Sequence, residues 1–342
     1  MQKIFITGES GAIPMAIQKI LNNSEDYDII NSQLNDKYNL NKFKKHQAFE
    51  VRQPEIDFLD NDLLNNKLDN ILKQTNIIIH SGAYVGTDFC NNNQELAIKT
   101  NVDGTLNIVN ICNRYNIKLI YFSTTAIFDP NDYSENDYIT EFTKINPQTL
   151  YGITKYAGEL IVKNMCKTEH VIVRPVFGFG DYPNDLHSAL TKIIHNIYYN
   201  FKNNSNIRLK VLLDKNINKS YTRVENIANV VIDIIDRNLF NGIYNVGENY
   251  DESKNWFELL DIIVQIFLNK IDVYKSNLLK LIDNIEFISK SDYLHWHNIN
   301  DSNLELFNLN LKNNKNYTDL YNGIEKTIDS VIKNIDLKPY WI

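Results

Sequence analysis

Short apolar runs and amphipathic stretches take turns through the first half of this chain, and that rhythm constrains the fold more than any other feature. Residues 3–7, 28–31, 76–80, 118–123 and 171–174 form runs with the length and β-branched content of buried strands. Between them, residues 15–21, 63–73, 95–114 and 151–166 carry apolar side chains at helical spacing. Strands buried on both faces need helices on both faces, so the alternation predicts an α/β fold with a doubly wound parallel sheet. Ligands of such sheets bind at the carboxyl ends of the strands. After Arg174 the rhythm breaks. Residues 186–201 and 224–237 read as helices, 209–213 and 242–246 as strands, and the rest is mixed and rich in Asn and aromatics. The expected organisation is a sheet lobe over residues 1–173, rejoined by about 214–246, and a smaller lobe from 174–213 and 247–342.

Composition removes several alternatives. The net charge is −7 without a Lys/Arg stripe, which argues against a nucleic-acid partner. Cys90, Cys112 and Cys166 are widely spaced, so neither a disulfide framework nor a zinc cluster is expected, and a cytoplasmic location fits. The opening MQKIFITG reads as a strand rather than a targeting segment. No apolar run approaches the ~20 residues of a membrane span, so no membrane partner is expected.

Strand one runs straight into "TGESGAIP". Gly8 and Gly11 suit a tight turn whose backbone approaches a pyrophosphate, and Ser10, Ala12 and Ile13 flank it. The following helix amino terminus would offer N–H groups and a partial positive charge. Pro14 stands where a third glycine is usual, but in the first helical turn its missing N–H costs little. An ordinary strand–turn–helix is the alternative reading of this segment.

"YGITK" places Tyr151 and Lys155 one helical turn apart, with a nearby ammonium expected to lower the phenol's pKa for acid–base work. Tyr38/Lys42 and Tyr250/Lys254 share the spacing, so context must separate the three. Only Tyr151 opens a helix beyond a strand ending in hydroxyls, "YFSTTAIF". Thr124 at that strand's carboxyl end can hydrogen-bond a reacting oxygen while Tyr151 gives or takes the proton.

In order, "TGESGAIP", "DFLD", "HSGAYV", "NVDGTLNIVNIC", "STTAIF", "YGITKYAGE", "VRPVFGFG" and "GIYNVGE" resemble the extended short-chain dehydrogenase/reductase family over roughly residues 3–250. Within it, "HSGAYVGTDFCNNNQELAIKTN" and "STTAIFD" are most similar to the dTDP-4-dehydrorhamnose reductase branch. The resemblance implies a Rossmann lobe carrying a nicotinamide dinucleotide, a C-terminal lobe for a nucleotide-linked sugar, and a homodimer built on two helices. It also implies a Thr124–Tyr151–Lys155 catalytic triad, with Lys155 also bonding the nicotinamide ribose. Asp57 and Phe58 fall where adenine is contacted, and Ser81, Gly82, Ala83 and Tyr84 line the cofactor cleft. Asn101 is placed near the catalytic lysine, and Pro175 with Val176 beside nicotinamide. Val85, Thr125, His187 and Lys219 are the candidate substrate residues, although a solvated lysine and a helix-face histidine are alternatives for the last two.

Strand two ends "DIINSQ", without the acid that would bond an adenosine 2′-hydroxyl. Asn31 and Ser32 would tolerate a 2′-phosphate, and Lys37, Lys42, Lys44 and Lys45 follow, which favours NADP with NAD as the alternative. Thr125–Ala126 replaces the Asp–Glu pair of the family's 4,6-dehydratases, so dehydration is not expected. His295 and His297 lack a third ligand in register, and Cys90 lacks a visible base, so neither a metal site nor a cysteine-based epimerase is expected. The expected activity is reduction of a sugar ketone at C4, with a 4-epimerase as the alternative. A dinucleotide-binding regulatory subunit, like the relative that binds methionine adenosyltransferase, is the alternative of another class.

Overall fold

The computed structural model describes residues 1–9, 11–30, 59, 68–129, 132, 139–176, 178–180, 188–211, 221–247, 254–287 and 318–333. The elements of the first half are β1 (Gln2–Thr7), α1 (Ala12–Leu21), β2 (Tyr27–Ile29), α2 (Asp69–Leu72), β3 (Ile77–His80), α3 (Thr87–Asn92), α4 (Gln94–Ile98), α5 (Gly104–Tyr115), β4 (Lys118–Phe122), α6 (Leu150–Met165) and β5 (His170–Pro175). There follow β6 (Gly178–Phe179), α7 (Ala189–Asn203), β7 (Leu209–Val211), β8 (Thr222–Arg223), α8 (Val224–Asp236), β9 (Asn241–Val246), α9 (Trp256–Lys270), α10 (Lys275–Ile282), β10 (Ile285–Phe287) and α11 (Leu320–Lys333).

Six parallel strands form the main sheet in the order β2-β1-β3-β4-β5-β9. Consecutive residues Ile4–Ile6, Ile77–Ile79, Leu119–Tyr121 and Val171–Val173 are all buried, as expected for strands covered on both faces. The chain leaves β1 towards β2 and returns to place β3 on the other side of β1. This is the switch point of a doubly wound sheet, and its two strand ends, Thr7 and His80, are in register.

The chain divides into two compact units. The first comprises Met1–Asp129, Glu141–Pro175 and Ala228–Val246, and the second Pro130–Thr140, Val176–Ile227 and Gly247–Ile342. The first unit's core joins Phe5 and Ile78 to the inner faces of α5 and α6, including Cys112 and Val162. The second unit has its own core of Phe179, Ile193, Tyr221, Trp256, Ile263 and Ile324, with Tyr221 edge-on to Trp256 at 5.6 Å. Within it β6 pairs with β8 and β7 with β10, both parallel, and Asn255 and Glu258 close a capping box on α9.

One predicted helix departs from its pattern. Residues 95–114 read as continuous, but between α4 and α5 the backbone opens into a π turn at Lys99–Asp103. Asn101 sits in that turn with its side chain bonded away from the helix, which accounts for the local widening. Among the described residues, no helix is long and apolar enough to cross a membrane.

Candidate active site

At the switch point two glycines bring the β1 and β3 loops together. Gly8 has φ +67°, and a Cβ there would lie 2.7 Å from Gly82 Cα, so only glycine allows this approach. Gly11 N–H donates to the Gly8 carbonyl at 3.0 Å and then caps α1, without a side-chain cap or an acid in the first turn. Pro14 is buried in that first turn, where its missing N–H has no intrahelical partner to lose. The N–H groups of Ala12 and Ile13 remain at the helix's positive end. The Gln18 side-chain amide donates to the Glu9 carbonyl at 2.8 Å, and this arrangement fits a pyrophosphate.

Below the turn lies a buried polar chain. Gly82 N–H donates to Thr7 Oγ1 at 3.0 Å, and Thr7 Oγ1 meets His80 Nδ1 at 2.7 Å. His80 Nε2 lies 3.2 Å from Thr105 Oγ1, which donates to the Asn101 carbonyl at 2.7 Å. Burial and the neighbouring Lys155 push the imidazole down to about 3, so the ring is neutral. Asn101 receives Tyr84 N–H at 2.8 Å, and its amide donates to the Tyr84 carbonyl and to Thr154 Oγ1, both at 3.0 Å. The π turn thus ties the β3 loop to α6.

α6 starts at Thr149, whose hydroxyl accepts Gly152 N–H at 3.0 Å. Gly152 rests on the Ala126 carbonyl, where any Cβ would collide. That contact brings the amino end of α6 onto the 3-10 turn Thr125–Ile127, which Thr124 caps by accepting Ala126 N–H at 3.2 Å. The Thr124 hydroxyl also hydrogen-bonds the Tyr151 phenol. One turn further, Lys155 is buried with Nζ 4.3 Å from the centre of the Tyr121 ring. Tyr121 donates to the Lys155 carbonyl at 3.2 Å and occupies the space left by Gly158.

The electrostatics differ from the sequence expectation in one respect. Burial pushes the Tyr151 phenol up to about 12, outweighing the Thr124 hydrogen bond that lowers it. Burial likewise drives Lys155 down to about 7, partly opposed by Glu159 and Cys90. Burial thus draws both groups toward their neutral forms, and the phenol's rise is the reverse of the lowering expected from the sequence. At neutral pH Tyr151 is therefore a proton donor.

The other described candidates lie at strand ends and in the loops that follow them. Ser81 donates to the Thr7 carbonyl at 2.6 Å, and half-buried Ala83 leads to Tyr84, which stacks on Phe89 at 5.0 Å. Val85 is exposed, Thr125 is buried at the start of the 3-10 turn, and Pro175 ends β5. Val176 is buried and belongs to the second unit. Cys90 is buried with Sγ 3.6 Å from the Tyr84 carbonyl, and burial pushes its thiol up to about 11. Ser10, Asn31, Ser32, Asp57, Phe58, His187 and Lys219 lie outside the described residues, as do Lys37, Lys42, Lys44, Lys45, His295 and His297. Among the described residues no cluster of three or more His, Cys, Asp or Glu is set to hold a metal.

Sequence reasoning missed the His80–Thr105 chain, the contact role of Gly152 and the buried Glu159–Arg174 ion pair. Only Gly152 left a local trace, as the glycine in "YGITK". The other two join residues far apart in the chain.

Residues 1–291 match the family model described as the RmlD substrate binding domain. An ADP-L-glycero-D-manno-heptose-6-epimerase of Brachyspira hyodysenteriae is 24% identical over 299 residues, 85% of either chain. Among solved structures, a dTDP-4-dehydrorhamnose reductase of Bacillus anthracis in complex with NADP is similar with a TM-score of 0.68 and 21% identity, over 96% of this chain and 99% of that one. A UDP-glucuronic acid 4-epimerase of Bacillus cereus in complex with NAD is similar with a TM-score of 0.64 and 16% identity, over 97% and 99%.

Proposed function

This chain belongs to the RmlD substrate binding domain family, and we propose that it is an NAD(P)-dependent oxidoreductase reducing the C4 ketone of a nucleotide-linked sugar. The observation that carries this reading is the Tyr151 phenol beside the Thr124 hydroxyl just past β4, with Lys155 buried one turn along the same helix, in the same unit as the glycine cradle. Gly8, Gly11, Ala12 and Ile13 would hold the pyrophosphate of the dinucleotide, with NADP favoured over NAD by the residues after β2. The nicotinamide, when bound, supplies the hydride.

Tyr151 holds its proton at neutral pH and delivers it to the oxygen that becomes the alcohol. Thr124 orients the phenol and can bond the same oxygen. Lys155 would hold the nicotinamide ribose and, when charged, stabilises developing negative charge on the phenol. The names of a curated relative, "Putative UDP-glucose 4-epimerase", and of the Bacillus cereus structure support a second reading, a 4-epimerase, in which the same groups run the transfer both ways.

Turnover with a panel of nucleotide 4-ketosugars, followed by NADPH or NADH absorbance, tests the proposal. One sugar should be consumed, and Tyr151→Phe should lower kcat by about 10²–10⁴-fold while retaining cofactor binding. Sugar interconversion without net cofactor consumption would favour the epimerase. Cofactor binding without either reaction would favour a regulatory subunit.

A further inference from the structure

Thr7 ends β1 and His80 ends β3, side by side in the sheet, and Gly8 and Ser81–Gly82 follow them. Thr7 and His80 are 4% and 1% exposed, so their polar atoms need partners inside the protein. Four hydrogen bonds run through them in one line. Gly82 N–H donates to Thr7 Oγ1 at 3.0 Å, and Thr7 Oγ1 lies 2.7 Å from His80 Nδ1. His80 Nε2 lies 3.2 Å from Thr105 Oγ1, which donates to the Asn101 carbonyl at 2.7 Å.

The direction of this line follows from its far end. A carbonyl only accepts, so Thr105 gives its single hydroxyl proton to Asn101 and can only accept from the imidazole. Nε2 therefore carries a hydrogen. Burial keeps the ring neutral, so Nδ1 is bare and accepts the Thr7 hydroxyl proton. The other neutral tautomer would set a bare Nε2 against the lone pairs of Thr105. With its proton directed at the ring, Thr7 Oγ1 presents lone pairs to Gly82 N–H.

The near end of the line is the glycine turn. A Cβ on Gly8 would lie 2.7 Å from Gly82 Cα, so the position of one glycine sets that of the other. Ser81 Oγ adds a bond to the Thr7 carbonyl at 2.6 Å. Gly8 in turn accepts Gly11 N–H at 3.0 Å, and Gly11 caps α1. Without an acceptor at Nδ1 the Thr7 hydroxyl is a buried donor left unpaired, and turning to find a partner withdraws its oxygen from Gly82.

We propose that His80 is a positioning residue of the dinucleotide cradle, its Nε2–H tautomer fixing the Thr7 hydroxyl that holds Gly82 against Gly8. The inference rests on the reading that the turn at Gly8 and Gly11 receives the dinucleotide. His80 acts through Thr7 rather than on the reacting atoms.

Two measurements test it. A long-range 15N correlation spectrum of histidine-labelled protein at neutral pH reads the tautomer, with the His80 signals identified by their loss in the His80 variants. A hydrogen on Nε2 and a bare Nδ1 are expected, and a hydrogen on Nδ1 overturns the proposal. Titration with NADPH and with NADH, followed by nicotinamide fluorescence, gives the dissociation constants. Asparagine places its side-chain oxygen about where Nδ1 stands, so His80→Asn should bind within about twofold of wild type. Glutamine reaches toward Nε2 and leaves Nδ1 unreplaced, so His80→Gln should bind about tenfold more weakly. Thr7→Val, which keeps the shape and removes the hydroxyl, should show the same loss. Urea midpoints establish conditions in which each variant is folded.

Wild-type affinity in His80→Gln or Thr7→Val, or equal affinities in His80→Asn and His80→Gln, overturns the proposal and leaves the cradle reading standing. If neither His80→Gln nor Thr7→Val folds, it is overturned in favour of a structural chain. A wild type that binds neither dinucleotide fails the cradle reading itself, and the proposal with it.

Discussion

A histidine with both ring nitrogens engaged by threonine hydroxyls has little room for a second proton. His80 lies 2.7 Å from Thr7 Oγ1 and 3.2 Å from Thr105 Oγ1 at 1% exposure. Its folded pKa of about 3 lies below the unfolded value of about 6.5, so the native state binds fewer protons between the two. The stability that follows is fully present above about pH 6.5 and is lost as pH falls toward about 3, at up to ~1.4 kcal/mol per pH unit. Urea denaturation of wild type and His80→Gln across about pH 6.5 to 4 checks this. The variant should be less stable at neutral pH yet show a flatter decline, and equal slopes would refute the assignment. The sequence offers His80 only as the end of an apolar run. Its partners, 73 and 25 residues away, become visible only when β1, β3 and α5 are assembled.

Close packing at two glycines of α6 sets the distance between the acid and its partners. Gly152 lies against the Ala126 backbone, and Gly158 against the Tyr121 phenol. In Gly152→Ala the opposing atom is a carbonyl, which cannot rotate aside, so the helix end must shift away from Thr124. Overpacking of this kind costs about 1–3 kcal/mol, and loss of the Thr124–Tyr151 hydrogen bond should lower kcat more than it raises KM. Urea midpoints and steady-state kinetics of the variant read both effects. Wild-type values in both would remove the contact's assigned role. At this scale the sequence is informative but incomplete. The period of residues 95–114 predicts a helix, and a helix forms. The π turn at Asn101 is invisible to periodicity, because bonds to Tyr84 and Thr154 stabilise it from outside the segment.

For the molecule as a whole, the expected partner protein is a second copy of this chain. Ile153 and Leu160 are 49% and 42% exposed and lie two helical turns apart on α6, with Met165 at its end 46% exposed. Apolar side chains of that size in a row suit a helix–helix contact between copies. Sedimentation equilibrium should give a dimer, and Ile153→Asp combined with Leu160→Asp should shift it to monomer with the fold intact. A wild-type monomer at micromolar concentration would refute this. The alternation of apolar runs with helical periods determined the parallel sheet, since burial on both faces follows from composition along each short segment. The turn chemistry of Gly8 and Gly11 and the Tyr151–Lys155 spacing were equally legible, because each lies within one turn or one helix. Only the tertiary structure decided the protonation of the site, with the phenol near 12 and the lysine near 7. Desolvation depends on which distant elements close over a group, and the bidentate hold of Arg174 on Glu159 exists only once β5 lies beside α6.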